Sequence, residues 1–130
     1  MDDWLEQLVY ARAEGRCEYC SLPAWASPAT LQVDHVRAQQ HGGSTTPDNL
    51  ALACADCNLK KGTNIRGVDP LTDQDVPLFN PRRHKWREHF TWTGLTIVGR
   101  TDVGRATIRL LDLNSKRRLR LRAKVPPGHP

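Results

Sequence analysis

Hydrophobic positions near the start of the chain repeat with a helical period. A helix is predicted to begin after Asp2 or Asp3 and to end at Gly15, because the apolar residues between them recur three and four positions apart. These apolar residues are Trp4, Leu5, Leu8 and Val9. We expect this helix to serve packing alone.

The middle of the chain changes to a strand pattern and then returns to a helical one. Residues 30–36 alternate β-branched or apolar side chains with polar ones, which predicts a strand. Residues 39–47 contain a Gly-Gly pair and three hydroxyl side chains, which indicates an exposed loop. A short strand over 50–52 is expected to pair with the first, and a helix over 54–61 to end at Gly62. The predicted order is strand, long loop, strand, helix.

The second half of the chain is basic, and its pattern predicts a loop, two helices and a hairpin. Residues 67–77 carry two prolines and are predicted to form a loop, whereas Asn80 and Pro81 favour a helix that runs through Phe90. Residues 91–98 indicate a hairpin, and a helix is expected from Asp102 to near Asn114. The alternating pattern of residues 116–124 predicts either a basic strand or a disordered arm.

Length and composition suit one compact domain. The 130 residues are 38% hydrophobic and 25% charged, and no apolar run approaches the roughly 20 residues of a membrane-spanning helix. The acidic opening does not resemble a basic secretion signal, so we expect a cytoplasmic protein with no membrane partner. We predict a single domain over 1–130.

The positive charge is concentrated in the second half. Residues 1–81 hold 6 basic and 11 acidic side chains, for a net charge of −5, whereas residues 82–130 hold 13 basic and 3 acidic side chains, for +10. The total is +5. A cationic block of this kind attracts nucleic acid phosphates by releasing their counterions, so nucleic acid is the expected partner.

Four cysteines form two C-x-x-C pairs, Cys17 with Cys20 and Cys54 with Cys57. Both thiolates of such a pair can reach one ion, and two pairs complete the tetrahedral shell of structural zinc. Disulfides and a redox dithiol are the alternatives, although a reducing compartment favours metal. A zinc ion closed by four thiolates is structural and supplies no catalysis.

The stretch between the cysteine pairs resembles the HNH endonuclease family. The matching residues are Val33-Asp34-His35, Gly42-Gly43, Asp48-Asn49-Leu50 and Cys57-Asn58-Leu59-Lys60-Lys61-Gly62. The resemblance implies an α+β protein with a ββα-metal core over 15–65, held together by the four-cysteine zinc site, and a basic C-terminal α/β extension over 80–125. The three residues that name the family fall on His35, Asn49 and Asn58.

Phosphodiester hydrolysis needs an activated water and charge neutralisation, and residues of this stretch suit both tasks. His35 is the candidate general base, because an imidazole is largely deprotonated near neutral pH. Asp34 and the amide oxygen of Asn58 are candidate ligands for Mg²⁺ or Mn²⁺, which prefer oxygen donors. The resemblance implies that Asn49 hydrogen-bonds the loop after His35 and keeps the imidazole aimed. The predicted activity is metal-dependent DNA cleavage.

Each of these residues also has a structural interpretation. Asp34 would then cap a turn, His35 would be a surface histidine and Asn58 would begin a helix. Strict strand alternation would also send the side chains of Asp34 and His35 to opposite faces, unless the strand bends there. The alternative function is a non-catalytic zinc module that binds nucleic acid. We expect His41 to be an exposed loop residue.

Several basic side chains are candidates for contact with double-stranded DNA. They are Lys60, Lys61, Arg83 and Arg87, together with the run Lys116-Arg117-Arg118. Arg83 and Arg87 would share one face of the predicted helix, whereas Trp86 and Phe90 would share another. Trp86 is expected to pack in the core rather than to stack on a base.

Overall fold

The computed structural model describes residues 1–126, so positions 127–130 of the predicted domain lie outside the described residues. The elements are α1 (Asp3–Arg12), β1 (Gln32–His35), β2 (Leu50–Ala53), α2 (Ala55–Lys61), β3 (Arg66–Val68), β4 (Asp75–Pro77), α3 (Trp86–His89), β5 (Phe90–Thr93), β6 (Thr96–Gly99), α4 (Asp102–Leu111) and α5 (Lys116–Arg122). The strands of this described part form three antiparallel hairpins, β1 with β2, β3 with β4 and β5 with β6. The predicted α+β class is confirmed.

The first hairpin and the helix after it follow the predicted order of strand, long loop, strand and helix. β1 and β2 pair so that Asp34 faces Ala51 and His35 faces Leu50. All four residues of β2 are buried, which places this hairpin in the core. Helix α2 ends at Lys61, and the next residue, Gly62, has a φ of 53° in the left-handed region that glycine adopts without strain.

Two predictions for the segment that follows are wrong. Residues 67–77 are not all loop, because β3 and β4 pair across a turn closed by Asp69, whose carboxylate accepts bonds from Leu71 N and Thr72 Oγ1. The helix predicted through Phe90 shrinks to the single turn α3. His84 Nδ1 accepts a hydrogen bond from Asn80 N, and Lys85 is extended, so the chain turns before the helix begins.

The prediction of a basic strand or disordered arm over 116–124 is also wrong. This segment contains helix α5, and the Ser115 side chain caps it by accepting from Arg118 N at 3.3 Å. The buried positions Arg118, Leu121 and Arg122 recur at helical spacing, whereas the apparent alternation came from charged residues between leucines. Two arginines therefore point into the protein.

One hydrophobic cluster includes residues from both halves of the chain. Leu5 and Val9 of α1 pack in the same cluster as β2, the cysteines and the later residues Phe90, Ile97 and Leu121. The packing prediction for α1 holds for its inner face only, because Trp4 is 60% exposed. Among residues 1–126, no helix is long and apolar enough to cross a membrane.

Candidate functional site

The four cysteine sulfur atoms converge at one buried point. All four Sγ atoms lie within 4.8 Å of one another, and the Sγ atoms of Cys20 and Cys54 are 3.7 Å apart. Tetrahedral zinc with Zn–S bonds of about 2.3 Å places its sulfur ligands about 3.8 Å apart. All four cysteines are free, so the disulfide alternative is wrong, and the donor set fits structural zinc.

An arginine from the C-terminal helix contacts this cysteine cluster. Arg118 Nη2 donates to Cys57 Sγ at 2.8 Å and lies 3.9 Å from Cys54 Sγ. Its Nη1 donates to the backbone oxygen of Leu111 at 2.9 Å, and the side chain is only 5% exposed. Arg118 is therefore not a surface contact for DNA, which corrects that prediction. Sequence reasoning missed it because the residue lies in an apparently solvated basic run.

His35 ends β1 and is half-buried at the mouth of a small cleft. Its Nε2 lies 2.9 Å from Thr45 Oγ1, and Gln39 Nε2 donates to the same hydroxyl oxygen at 3.2 Å. Thr45 and Gln39 both belong to the loop between β1 and β2. The loop therefore orients the imidazole ring from one side. Neither residue carries a sequence pattern that would have identified it.

Asn49 stabilises the same loop between β1 and β2 through hydrogen bonds to its backbone. Its Oδ1 accepts from Arg37 N at 2.9 Å, and its Nδ2 donates to the carbonyl oxygens of Arg37 and Ser44 at 3.0 and 2.8 Å. Gly43 lies so close to this cluster that a Cβ atom there would stand 1.8 Å from Arg37 O. Asn49 thus makes backbone contacts of the kind expected from the resemblance.

Asp34 lies beneath His35 and is almost fully buried. Its Oδ2 accepts from the Tyr19 hydroxyl at 2.9 Å and forms an ion pair with Lys61 Nζ at 3.1 Å. Burial raises the pKa of the Asp34 carboxyl, although Lys61 and Tyr19 oppose the rise. This buried ion pair was not foreseen from the sequence.

Lys61 is not available to DNA, and its prediction as a phosphate contact is wrong. The side chain is 2% exposed, and its ammonium also donates to the backbone oxygen of His35 at 3.0 Å. A lysine on the last turn of a helix usually points to solvent, but here the inner face of α2 carries Lys61 toward Asp34.

Asn58 stands on the first turn of α2, opposite β1. Its Nδ2 donates to Gln32 Oε1 at 2.5 Å, whereas its Oδ1 accepts no hydrogen bond within residues 1–126. Asn58, Asp34 and His35 line one cleft of about 190 Å³. The neighbours Asp34 and His35 therefore reach the same cleft, although they are adjacent in a strand.

The other basic candidates lie on the surface but do not share a helix. Lys60, Arg83 and Arg87 are exposed, and Arg83 precedes the single-turn α3 that contains Arg87. Trp86 packs as predicted, because its Nε1 donates to Tyr19 O at 2.8 Å and its ring stacks on Trp92 at 5.3 Å. His41 is exposed, also as predicted.

Comparison with known families gives one match at this site. Residues 17–64 match the HNH endonuclease family, a segment that spans both cysteine pairs, the β1–β2 hairpin and α2. No curated protein and no solved structure matches the chain significantly. The match covers less than half of the chain, and it indicates an HNH endonuclease-type domain over residues 17–64. This domain is of the nuclease type, and HNH nucleases act on nucleic acid.

Proposed function

We propose that this protein is a metal-dependent DNA endonuclease that hydrolyses phosphodiester bonds with His35 as general base. The observation that carries the proposal is the shared cleft, which His35, Asp34 and Asn58 all line. Asn49 acts as a positioning residue, because it ties both ends of the loop that orients His35.

In this mechanism His35 takes a proton from the attacking water. When Nε2–H donates to Thr45 Oγ1, the Nδ1 atom keeps its lone pair and serves as the base. The half-buried position leaves the ring accessible to water while the loop limits its rotation. Base catalysis of this kind needs hydrogen-bond reach between the imidazole nitrogen and the water.

Asp34 and Asn58 are the proposed ligands of a catalytic Mg²⁺ or Mn²⁺ ion. A carboxylate and an amide oxygen suit these hard cations, and Asn58 Oδ1 accepts no bond from residues 1–126. The bound cation would act as a Lewis acid that stabilises charge on the scissile phosphate and the leaving oxygen. Lys61 already compensates part of the Asp34 charge, so we expect weak binding of the cation without substrate.

Double-stranded DNA is the proposed substrate, and Lys60, Arg83 and Arg87 are its proposed backbone contacts. All three side chains are exposed, and the exposed basic side chains of residues 82–126 attract phosphates. The four free thiols suit a reducing compartment, which supports the cytoplasm as the place of action.

The experiment compares nicking of supercoiled plasmid by the zinc-loaded parent, His35→Ala and the matched control His41→Ala. The control removes an exposed histidine of the same loop that contributes no side-chain contact to the cleft. We expect nicking that depends on Mg²⁺ or Mn²⁺ in the parent and in the control, and none in His35→Ala. Zinc content is measured for all three proteins.

A second variant separates catalysis from binding. Asn58→Ala should abolish nicking and keep plasmid affinity within about twofold of the parent, because the amide does not belong to the basic surface. If the parent binds plasmid but never nicks it with either metal, the endonuclease proposal fails and the non-catalytic zinc module replaces it.

A further inference from the structure

The C-terminal extension contributes a charged side chain to the cysteine cluster of the HNH domain. Helix α5 inserts Arg118 between α2 and the end of α4, where its guanidinium reaches the Cys57 sulfur and the Leu111 carbonyl oxygen. The family match ends at residue 64, so Arg118 comes from outside the matched domain.

The contact between Arg118 and Cys57 matters because the cysteine cluster carries a net negative charge when zinc is bound. Four thiolates around one divalent cation leave two negative charges, and each cysteine of the cluster is at most 2% exposed. Such charge is costly to bury unless cations or hydrogen-bond donors compensate it. The Cys57 backbone N–H also donates to Cys54 Sγ at 3.5 Å, but this neutral group brings no positive charge. Arg118 supplies both a positive charge and a short N–H···S bond.

The position of the guanidinium is fixed from more than one direction. Nη1 is held by Leu111 O, and Nε lies 4.0 Å from a carboxylate oxygen of Asp56. The fork of the guanidinium therefore binds a sulfur with one arm and a carbonyl oxygen with the other, which a lysine ammonium does not reproduce.

Arg122 lies one turn further along α5 and makes different contacts. It is also buried, but its guanidinium donates to the carbonyl oxygens of Leu95 and Leu113 and lies 5.6 Å from the Trp92 ring centroid. It therefore anchors the β5–β6 hairpin to α5. No hydrogen bond joins Arg122 to a cysteine within residues 1–126, so of these two arginines only Arg118 contacts the cluster directly.

We propose that Arg118 is a positioning residue of the zinc site, whose hydrogen bond to the Cys57 thiolate compensates the cluster charge and slows zinc loss. The inference rests on the assignment of zinc to the cysteine cluster, and not on the proposed nuclease activity. It gives the C-terminal extension a role in metal retention. Partners in the shell around metal ligands commonly change metal affinity by about 10- to 100-fold.

The test measures zinc transfer from the purified full chain to an excess of a colorimetric chelator. Arg118→Met removes the charge and every donor at similar length, and Arg120→Met is the control, because Arg120 is an exposed arginine of the same helix. We expect Arg118→Met to release zinc at least about 10-fold faster than the parent, and Arg120→Met to match the parent within about twofold.

A spectroscopic readout separates this role from general loosening of the fold. In the Co²⁺-substituted protein, losing the N–H···S bond makes Cys57 a better electron donor, so the thiolate-to-cobalt charge-transfer band should move to lower energy in Arg118→Met. The band should not move in Arg120→Met. An unshifted band together with an unchanged release rate in Arg118→Met would overturn the proposal.

Arg118→Lys keeps the test decisive if the methionine variant does not fold. Its ammonium restores charge but cannot hold Cys57 and Leu111 at once, so release and band position should fall between those of the parent and a donor-free site. Parent-like values for both measurements would contradict the role given to the guanidinium. The zinc content of the parent, about one ion per chain, tests the zinc assignment separately.

Discussion

The buried pair of Lys61 and Asp34 allows a quantitative test of the catalytic site. Lys61→Met removes the ammonium at similar side-chain length and leaves the Asp34 carboxylate, which is 6% exposed, with Tyr19 as its remaining donor. Breaking a buried ion pair from one side costs about 3–5 kcal/mol. At roughly 3–5 °C per kcal/mol for a domain of this size, Tm should fall by about 9–25 °C.

The same variant should respond more strongly to divalent cations. Without Lys61, a cation bound by Asp34 and Asn58 would provide the missing positive charge, so Mg²⁺ should raise the Tm of Lys61→Met more than that of the parent. The assay is thermal unfolding followed by circular dichroism, on zinc-loaded protein in buffer without Mg²⁺ and with about 10 mM MgCl₂, well above the millimolar affinity of a weak site.

Lys60→Met is the matched control, because the adjacent lysine is exposed. The reasoning on the ion pair is refuted if Lys61→Met loses no more stability than Lys60→Met. Equal Mg²⁺ responses in Lys61→Met and the parent would refute Asp34 as a cation ligand. The double variant Asp34→Asn with Lys61→Met should lose less stability than the sum of the single variants, because neither charge is then left alone.

Three further predictions concern the loop and the C-terminal half. Asn49→Ala removes three backbone hydrogen bonds of about 1 kcal/mol each, and we expect nicking at least about tenfold slower with unchanged zinc content. Thr45→Val removes the hydroxyl beside His35 Nε2 and should lower kcat with little change in KM, measured on a short duplex. Burial, His89 and Arg83 lower the pKa of His84, so the unfolded state binds its proton more readily. Stability should therefore fall as the pH drops through about 6.5, and His84→Gln should flatten this dependence in urea unfolding.

Each of these predictions has an outcome that contradicts it. A parent-like nicking rate for Asn49→Ala would show that the loop does not need this anchor. A change in KM alone for Thr45→Val would indicate that the hydroxyl binds substrate and does not orient the base. An unaltered pH dependence in His84→Gln would assign the acid sensitivity to other groups, the cysteine cluster first among them.

Sequence signals within a few residues of each turn predicted the strand–loop–strand–helix order. These signals are Gly42-Gly43, Pro47 and Gly62. Such local signals did not predict the burial of Lys61 and Arg118, because the neighbours of these residues in the sequence are charged and solvated. Their burial depends on partners 27 and 61 positions away, Asp34 and Cys57, and such contacts leave no periodic trace in the chain.

The hairpin β3–β4 was missed for a related reason. Its prolines suggested a loop, but Pro70 lies in the turn and Pro77 pairs at the end of β4, where a missing N–H costs little. The bidentate bonds of Arg105 to Asp69 then fix this hairpin on α4, and they hold the pKa of the Asp69 carboxyl well below its usual range. Composition does not reveal which arginine meets which aspartate.

The insertion of Arg118 beside the cysteines also orders events during synthesis. A growing chain exposes Cys17, Cys20, Cys54 and Cys57 to the solvent well before residue 118 leaves the ribosome. During that interval the thiols lack the guanidinium that covers them in the finished protein. The cysteine cluster is therefore closed on this side only when α5 docks.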